Sequence, residues 1–266
     1  METAKIETVR LTEAKGTLFI PLQRRAKDCQ SKYSVLHDTR ALEIVNAVDY
    51  DFSKLEKSNA HHTIIRAKQL DEWTNEFIAT HPNAVVAYLG CGLDTRITRI
   101  HPPASVDWYD VDYPDVIEVK KNFYSDSEHY KMLASSITDE AWLVQVPDNR
   151  PTLIIADGVM EYLTADDVKT LLQWLTDRFP QGQMIFDVMS VNAVKRIAKK
   201  YNIHTWGIDD TSEIERWNPK LKKLNDISLF QSQYLRLLPV NNRLFYKIIA
   251  ANSKGRKMMR LLRYEF

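Results

Sequence analysis

Val85-Val86-Ala87-Tyr88-Leu89-Gly90-Cys91-Gly92-Leu93-Asp94 decides how the rest of this 266-residue chain is read. An apolar run of strand type stops at two glycines spaced Gly-x-Gly. About twenty residues later a second strand, Val106 to Val111, ends in Asp112, the interval of a nucleoside-binding βαβ unit. Glycines at such a turn let backbone approach a ligand, and an acid closing the second strand takes ribose hydroxyls. The third glycine of the dinucleotide fingerprint is replaced by Thr95, so no turn is shaped for a pyrophosphate. The layout predicts a nucleoside without phosphates and disfavours NAD or FAD.

Outward from this stretch, strands are expected at Val85–Leu89, Val106–Val111, Thr152–Ala156 and Gln183–Asp187, with a weaker one at Tyr130–Ala134. Thr164-Ala165-Asp166-Asp167 resembles a capping box with Asp in place of Glu. Val168, Leu171, Leu172, Leu175 and Phe179 then form a helical apolar stripe, which Pro180-Gln181-Gly182 stops. Strand–helix alternation with short connections implies a parallel sheet covered on both faces, with ligands at the carboxyl ends of its strands. Residues 1–80 read as helical. Asp38 is a candidate N-cap for a helix carrying Ala41, Leu42, Val45 and Val48, and a longer helix runs from about Asn59 to Thr80. Residues 81–190 form the strand–helix core, and residues 191–266 are mixed and rich in aromatic and basic side chains. No linker divides the chain, so residues 1–266 are expected to form a single domain.

Bulk properties are those of a soluble globular protein: 44% hydrophobic, 27% charged, net charge +1. On this balance neither nucleic acid nor an anionic membrane is an expected partner. No apolar run approaches the ~18 residues that span a bilayer, and no signal-peptide pattern opens the chain, so a cytoplasmic location is expected. Cys29 and Cys91 give neither a disulfide framework nor metal-ligand spacing, and Cys91 reads as a small apolar filler.

Asp110 and Asp112 point to the same side of their strand. Asp112, last before Tyr113-Pro114, is the ribose candidate, and Asp110 reads as a solvated strand end. On a helix, Arg66 shares a face with Leu70, Trp73 and Phe77. An arginine on an inward face needs an anion, either a ligand's or a neighbouring acid's. Asp157 follows the strand Thr152–Ala156 and precedes Gly158, where the ligand should be. Ser136, Ile137 and Asp139 follow the weak strand and are candidates for the edge of a base. His61-His62 reads as surface helix.

Three of these stretches together resemble signatures of the leucine carboxyl methyltransferase family, in particular its bacterial branch. They are Leu89–Arg96, Asp110-Val111-Asp112-Tyr113-Pro114 and Ala156–Leu163, supported by Thr17–Ala26 and Trp206–Glu215. The resemblance implies an α/β fold: a Rossmann-like class I methyltransferase with a seven-stranded, mostly parallel sheet, helices on both faces, N-terminal helices and a helical cap over residues 191–225. The last strands would be Ile227–Gln231 and Met258–Phe266, the latter antiparallel at the edge. It implies S-adenosyl-L-methionine as cofactor. Arg66 would hold the methionine carboxylate, Gly90 and Gly92 would line the methionine end, and Asp112 would hold the ribose. Ser136 and Ile137 would flank the adenine, and Asp157, where the family usually has Glu, would meet the amino group. Glu161 replaces a typically apolar residue, and the sequence gives no account of it. No metal is implied.

The implied activity is O-methylation of a carboxylate or hydroxyl on a small polyketide-like or aromatic acid, the small-molecule acceptor being the expected partner. Substrate-side candidates are Arg24 and Arg25, with Lys15, for an acceptor carboxylate. His37 and His204 are candidate bases for a phenol, and Tyr162 could orient the acceptor. Tyr201, Trp206 and Trp217 suit a flat apolar substrate or a small core of their own. The alternatives are a protein C-terminal carboxyl methyltransferase, an NAD(P) oxidoreductase and a non-catalytic nucleoside-binding protein.

Overall fold

A computed structural model describes residues 6–7, 18–55, 61–201 and 206–266. The chain opens with β1 (Ile6–Glu7), α1 (Phe19–Cys29), α2 (Thr39–Ala47), β2 (Val48–Asp49) and α3 (His61–Thr80). The core follows as β3 (Val85–Leu89), α4 (Arg96–Ile100), β4 (Asp107–Asp112), α5 (Pro114–Lys120), β5 (Tyr130–Ala134), β6 (Thr152–Ala156), α6 (Ala165–Arg178) and β7 (Gly182–Met189). It closes with α7 (Val191–Tyr201), α8 (Ser212–Trp217), β8 (Lys222–Ser228), α9 (Val240–Ala250), α10 (Ser253–Lys257) and β9 (Met259–Glu265).

The main sheet has the order β5-β4-β3-β6-β7-β9-β8. Strands β3 to β7 are parallel to one another, and β9 runs antiparallel to both β7 and β8. Period-two alternation divides the core between the two faces. Val86 and Tyr88 pack with Leu70, Trp73 and Phe77 of α3, while Val85, Ala87 and Leu89 pack with the α6 stripe Val168, Leu171, Leu172 and Leu175. All five residues of β3 and of β6 are buried, as expected of central parallel strands. A third cluster, built on Phe19, Leu22, Ala41 and Ile44, seats α1 and α2 beside Leu93 and Val119.

The expected strands and caps stand where the pattern put them, with three corrections. β9 is interior rather than at the edge, and β8 is the edge strand. β8 also begins earlier than the expected Ile227–Gln231, and Leu229–Gln231 is a short 3-10 turn. Lys222-Lys223-Leu224-Asn225-Asp226 lacks the apolar signal of a strand because an edge needs little of it. His61 and His62 are half-buried rather than surface residues, and burial holds the His62 ring far below its ordinary value, at about 3. Asp38 caps α2 by accepting from Ala41 N–H at 2.9 Å. The box at Thr164 is reciprocal: Asp167 N–H donates to Thr164 Oγ1 at 3.1 Å, and Thr164 N–H to Asp167 Oδ2 at 3.0 Å. Thr164→Ala therefore costs about 1 kcal/mol, read as a fall in melting temperature of about 2–4 °C by calorimetry.

No described helix is long and apolar enough to cross a membrane. Among the described residues no cluster of His, Cys, Asp or Glu is arranged to hold a metal.

Candidate active site

At the carboxyl ends of β3 and β6 the backbone leaves the strands through left-handed glycines. Gly90 has φ +60° and Gly158 φ +71°. A Cβ at Gly90 would stand 2.3 Å from Val159 Cγ2, and one at Gly158 would stand 2.4 Å from Arg66 Nη2. Only glycine keeps both the conformation and the space. Gly90→Ala strains the turn by about 1–2 kcal/mol and pushes Val159 toward the cavity, so cofactor affinity should fall about tenfold in a calorimetric titration.

These turns floor a cavity of about 610 Å³ whose wall includes Leu18, Pro21, Arg25, Arg66, Gly90, Gly92, Asp112, Tyr113, Ile137, Asp157, Val159 and Tyr162. Eight residues singled out in the sequence thus share one wall: Arg25, Arg66, Gly90, Gly92, Asp112, Ile137, Asp157 and Tyr162. Others stand apart. Ser136 yields its place to Ser135, its own Oγ lying 2.8 Å from Thr138 Oγ1. Asp139 caps the 3-10 turn Glu140–Gln145 through Ala141 N–H. Arg24 donates to Thr63 Oγ1 at 2.9 Å, and His37 is exposed in the loop before α2. Lys15 and His204 lie outside the described residues. Trp206 and Trp217 pack against each other at 5.9 Å and belong to a core with Ile208 and Ile214, not to the cavity. Cys91 is buried with its thiol pushed well up by desolvation, as a filler should be.

Asp112 accepts Gly92 N–H on Oδ2 and Tyr113 N–H on Oδ1, each at 2.7 Å. Burial still raises its carboxyl above the ordinary value. Each oxygen keeps a further acceptor position, so a diol in the cavity finds two. Asp110 is not solvated, contrary to expectation. It is buried on Lys120 Nζ at 2.6 Å, Trp108 Nε1 at 2.8 Å and Tyr130 Oη at 2.7 Å. Lys120 in turn donates to Asp94 O and so braces the glycine turn from behind.

Arg66 faces inward with Leu70, Trp73 and Phe77, all buried. Its anions are supplied by the protein itself. Nε lies 2.5 Å from Asp157 Oδ1 and Nη1 2.8 Å from Asp187 Oδ2, while Asp187 Oδ1 accepts Gly158 N–H at 2.6 Å. Asp187 lies on β7 and carried no signal in the sequence beyond ending a strand. Glu161 completes the group. Burial, then the charge of Asp187, pushes its carboxyl up to about 8, and its Oε2 has no hydrogen-bond partner among the described residues. Three carboxyl groups thus surround one guanidinium. Asp157 is shared with Arg96, whose Nη2 lies 2.7 Å from Asp157 Oδ2, whose Nε binds Asp71 at 2.7 Å and whose guanidinium stacks on Tyr88. Arg99 joins Asp38, Asp71 and Asp94. The Leu93–Arg96 motif therefore fastens the N-terminal helices to the sheet. Arg25 meets the same network loosely, at 3.4 Å from Asp94 and 3.6 Å from Asp38, and its Nε has no hydrogen-bond partner among the described residues.

The cavity matches a cationic nucleoside bearing an amino acid: a diol-ready carboxylate, a guanidinium, an excess of acid for an ammonium and a sulfonium, and no phosphate cradle. The fold agrees. A Thermobifida fusca protein assigned as a methyltransferase superposes with a TM-score of 0.60 at 15% identity, covering 91% of this chain and 92% of that one. The N-methyltransferase NodS of Bradyrhizobium japonicum, solved with S-adenosyl-L-homocysteine, gives 0.52 at 13% identity over 92% and 97%. The fold is therefore that of the class I methyltransferases.

The sequence profile named leucine carboxyl methyltransferase matches residues 19–176. The tetracenomycin polyketide synthesis O-methyltransferase TcmP of Streptomyces glaucescens is 37% identical over 98% of this chain and 99% of its own. The S-adenosyl-L-methionine-dependent methyltransferase dpfgK of Gibberella zeae is 32% identical over 80% and 82%. The chain belongs to the leucine carboxyl methyltransferase family and is an S-adenosylmethionine-dependent O-methyltransferase.

Proposed function

We propose that this enzyme methylates the carboxylate of a small polyketide-like or aromatic acid. The observation that carries the reading is the composition of the cavity wall. Among the described residues it holds no histidine or lysine, and its carboxylates are engaged by backbone amides or guanidinium groups. An acceptor already ionised at neutral pH needs no base, whereas a phenol does. A polyketide-like acceptor is in keeping with the similarity to TcmP.

When bound, the cofactor supplies an electrophilic methyl on a sulfonium. The protein's part is alignment and exclusion of water. In this reading Asp112 takes the ribose hydroxyls and Ile137, with Ser136 beside it, edges the adenine. Gly90 and Gly92 let the backbone approach the methionine end, Arg66 takes its carboxylate and Asp157 its ammonium. Arg25, the most loosely paired cation of the wall, holds the acceptor carboxylate, and Tyr162 lies at the exposed mouth where a flat ring would enter. A cytoplasmic site of action goes with this reading.

The test has two stages. Calorimetry with S-adenosylhomocysteine and with NAD should show heat for the former alone. Labelled methyl transfer to aromatic acids, the corresponding phenols, and a peptide with a free C-terminal carboxylate should then proceed with the small acids. Arg25→Gln should raise KM for the acid about tenfold, with S-adenosylhomocysteine affinity retained. Transfer to phenols but not acids would replace the carboxylate reading, and preference for the peptide would make the acceptor a protein terminus.

A further inference from the structure

The sequence between Asp226 and Glu265 contains no acidic residue and eight basic ones. Two of these are neutralised from elsewhere, Arg260 by Asp226 and Arg263 by Glu76. Arg236, Arg243, Lys247, Lys254, Arg256 and Lys257 form no ion pair with a described carboxylate. The same segment carries four of the five most exposed large apolar side chains among the described residues. Val240, Leu244 and Ile248 are 66%, 59% and 64% exposed, and Phe245 beside them is 58% exposed. Spacing of four makes the first three one ridge along α9. The opposite face is held down by buried Tyr246, whose hydroxyl is hydrogen-bonded to the backbone at His62. Leu237, 40% exposed, extends the ridge before the helix begins.

Topology fixes where this ridge stands. β8 is antiparallel to β9 and β9 to β7, so β8 runs with β7 and ends at the same edge of the sheet. Helix α9 is inserted between β8 and β9, and therefore lies at the carboxyl end of the parallel strands, the end at which the cavity opens.

We propose that α9 and its basic flank form a docking surface for an anionic lipid bilayer, with Val240, Leu244, Phe245 and Ile248 inserted at the headgroup boundary and Arg243, Lys247, Lys254 and Lys257 on the headgroups. Scattered apolar residues are ordinary, but a contiguous apolar ridge rimmed by charge marks an interaction site. An interfacial helix has this composition: bulky apolar side chains on one face and Lys or Arg beside them. A second copy of the chain would set Arg243 and Lys247 against their own copies across a two-fold axis, a like-charge contact. A nucleic acid would leave the apolar ridge without a partner. A specific protein partner is ordinarily met with both signs of charge, whereas this flank carries one sign only, which suits a uniformly anionic surface. The whole-chain charge of +1, from which no membrane partner is expected, averages over this segregation. The inference goes beyond the proposed acceptor and holds whichever oxygen is methylated.

Vesicle co-sedimentation tests it with the full chain. Vesicles of phosphatidylcholine alone should retain little protein. Vesicles one-third phosphatidylglycerol should bind it at low salt and release it at high salt. Phe245→Ser with Leu244→Ser, and separately Arg243→Glu with Lys247→Glu, should each lower the partition coefficient about tenfold or more. Undiminished calorimetric binding of S-adenosylhomocysteine would show that the variants are folded, since none of these residues lines the cavity. Equal partition into both vesicle types, or wild-type partition by either variant, would overturn the proposal. So would a dimer seen by sedimentation velocity and lost in the serine variant without vesicle binding, which would assign the ridge to a second copy.

Discussion

Arg66→Met should abolish detectable binding of S-adenosylhomocysteine and destabilise the protein by about 3–5 kcal/mol. Both effects come from one geometry. Arg66 lies between Asp157 and Asp187 with the Glu161 carboxyl close by, all with buried side chains, so deleting its charge leaves Asp187 and Asp157 facing each other with only Arg96 still paired to Asp157. An uncompensated buried charge is costlier than the pair was worth, which is why the loss exceeds any reasonable value for the single hydrogen bond to Asp187 alone. Folding and binding are separated by a second variant. Arg66→Lys keeps the charge but replaces a planar fork, which reaches two carboxylates and in the proposed reading a ligand as well, by a single point of attachment. It should therefore retain most of the stability in urea unfolding and still lose at least about tenfold in cofactor affinity. Full affinity in a folded Arg66→Lys protein would remove the guanidinium from the site.

Glu161→Gln should stabilise the apo protein at alkaline pH, an unusual outcome for a buried substitution. The carboxyl titrates near 4.5 in an unfolded chain and is pushed up to about 8 in the fold by burial and by Asp187, against the opposing effect of Arg66. Between those values the folded protein holds a proton that the unfolded chain has released. The contribution to stability is therefore complete below the lower value and is lost as pH rises through the upper one. The slope is about 1.4 kcal/mol per pH unit for one proton. Glutamine has nothing to release, so its stability curve should lack this slope and exceed the wild type by roughly 5 kcal/mol at the alkaline end. Asp187, raised by the same burial, leaves a residual slope in both proteins. Urea midpoints at the two ends of the window measure the difference, and parallel curves for the two proteins would sink the assignment.

Regular structure near the cavity was legible because it rests on short-range signals. β3 and β6 are unbroken apolar runs between turns, and the Arg66–Leu70–Trp73–Phe77 face follows from helical spacing alone. The glycines announce left-handed turns, and Asp112 announces the strand that must stop before Tyr113-Pro114. What could not be read is long-range charge. Asp38 is recognisable as a cap, yet its second oxygen accepts from Thr95 and meets Arg99, partners more than fifty residues away. Asp110 looks solvated until Lys120 and Tyr130 fold over it. Asp187 is silent because a lone acid after an apolar strand is as common at a surface as beneath a guanidinium, and only β7's place beside β6 decides between them. The unexplained Glu161 has its account in the same cluster. Its neighbours lie four, twenty-six and ninety-five positions away, at Asp157, Asp187 and Arg66, and only the nearest of them is within local reach.

The interior position of β9 sets an order of assembly during synthesis. β8 leaves the ribosome first but has no seat on the sheet until residues 259–265 have been made, because among the described residues its one neighbour in the sheet is β9. Until then the outer margin of β7 offers a row of unsatisfied amides and carbonyls, a template for foreign strands. Chaperone demand should therefore be high between the emergence of β7 and that of β9, and stalling within the α9–α10 segment should leave nascent chains more prone to aggregate than stalling at any point before β7 emerges.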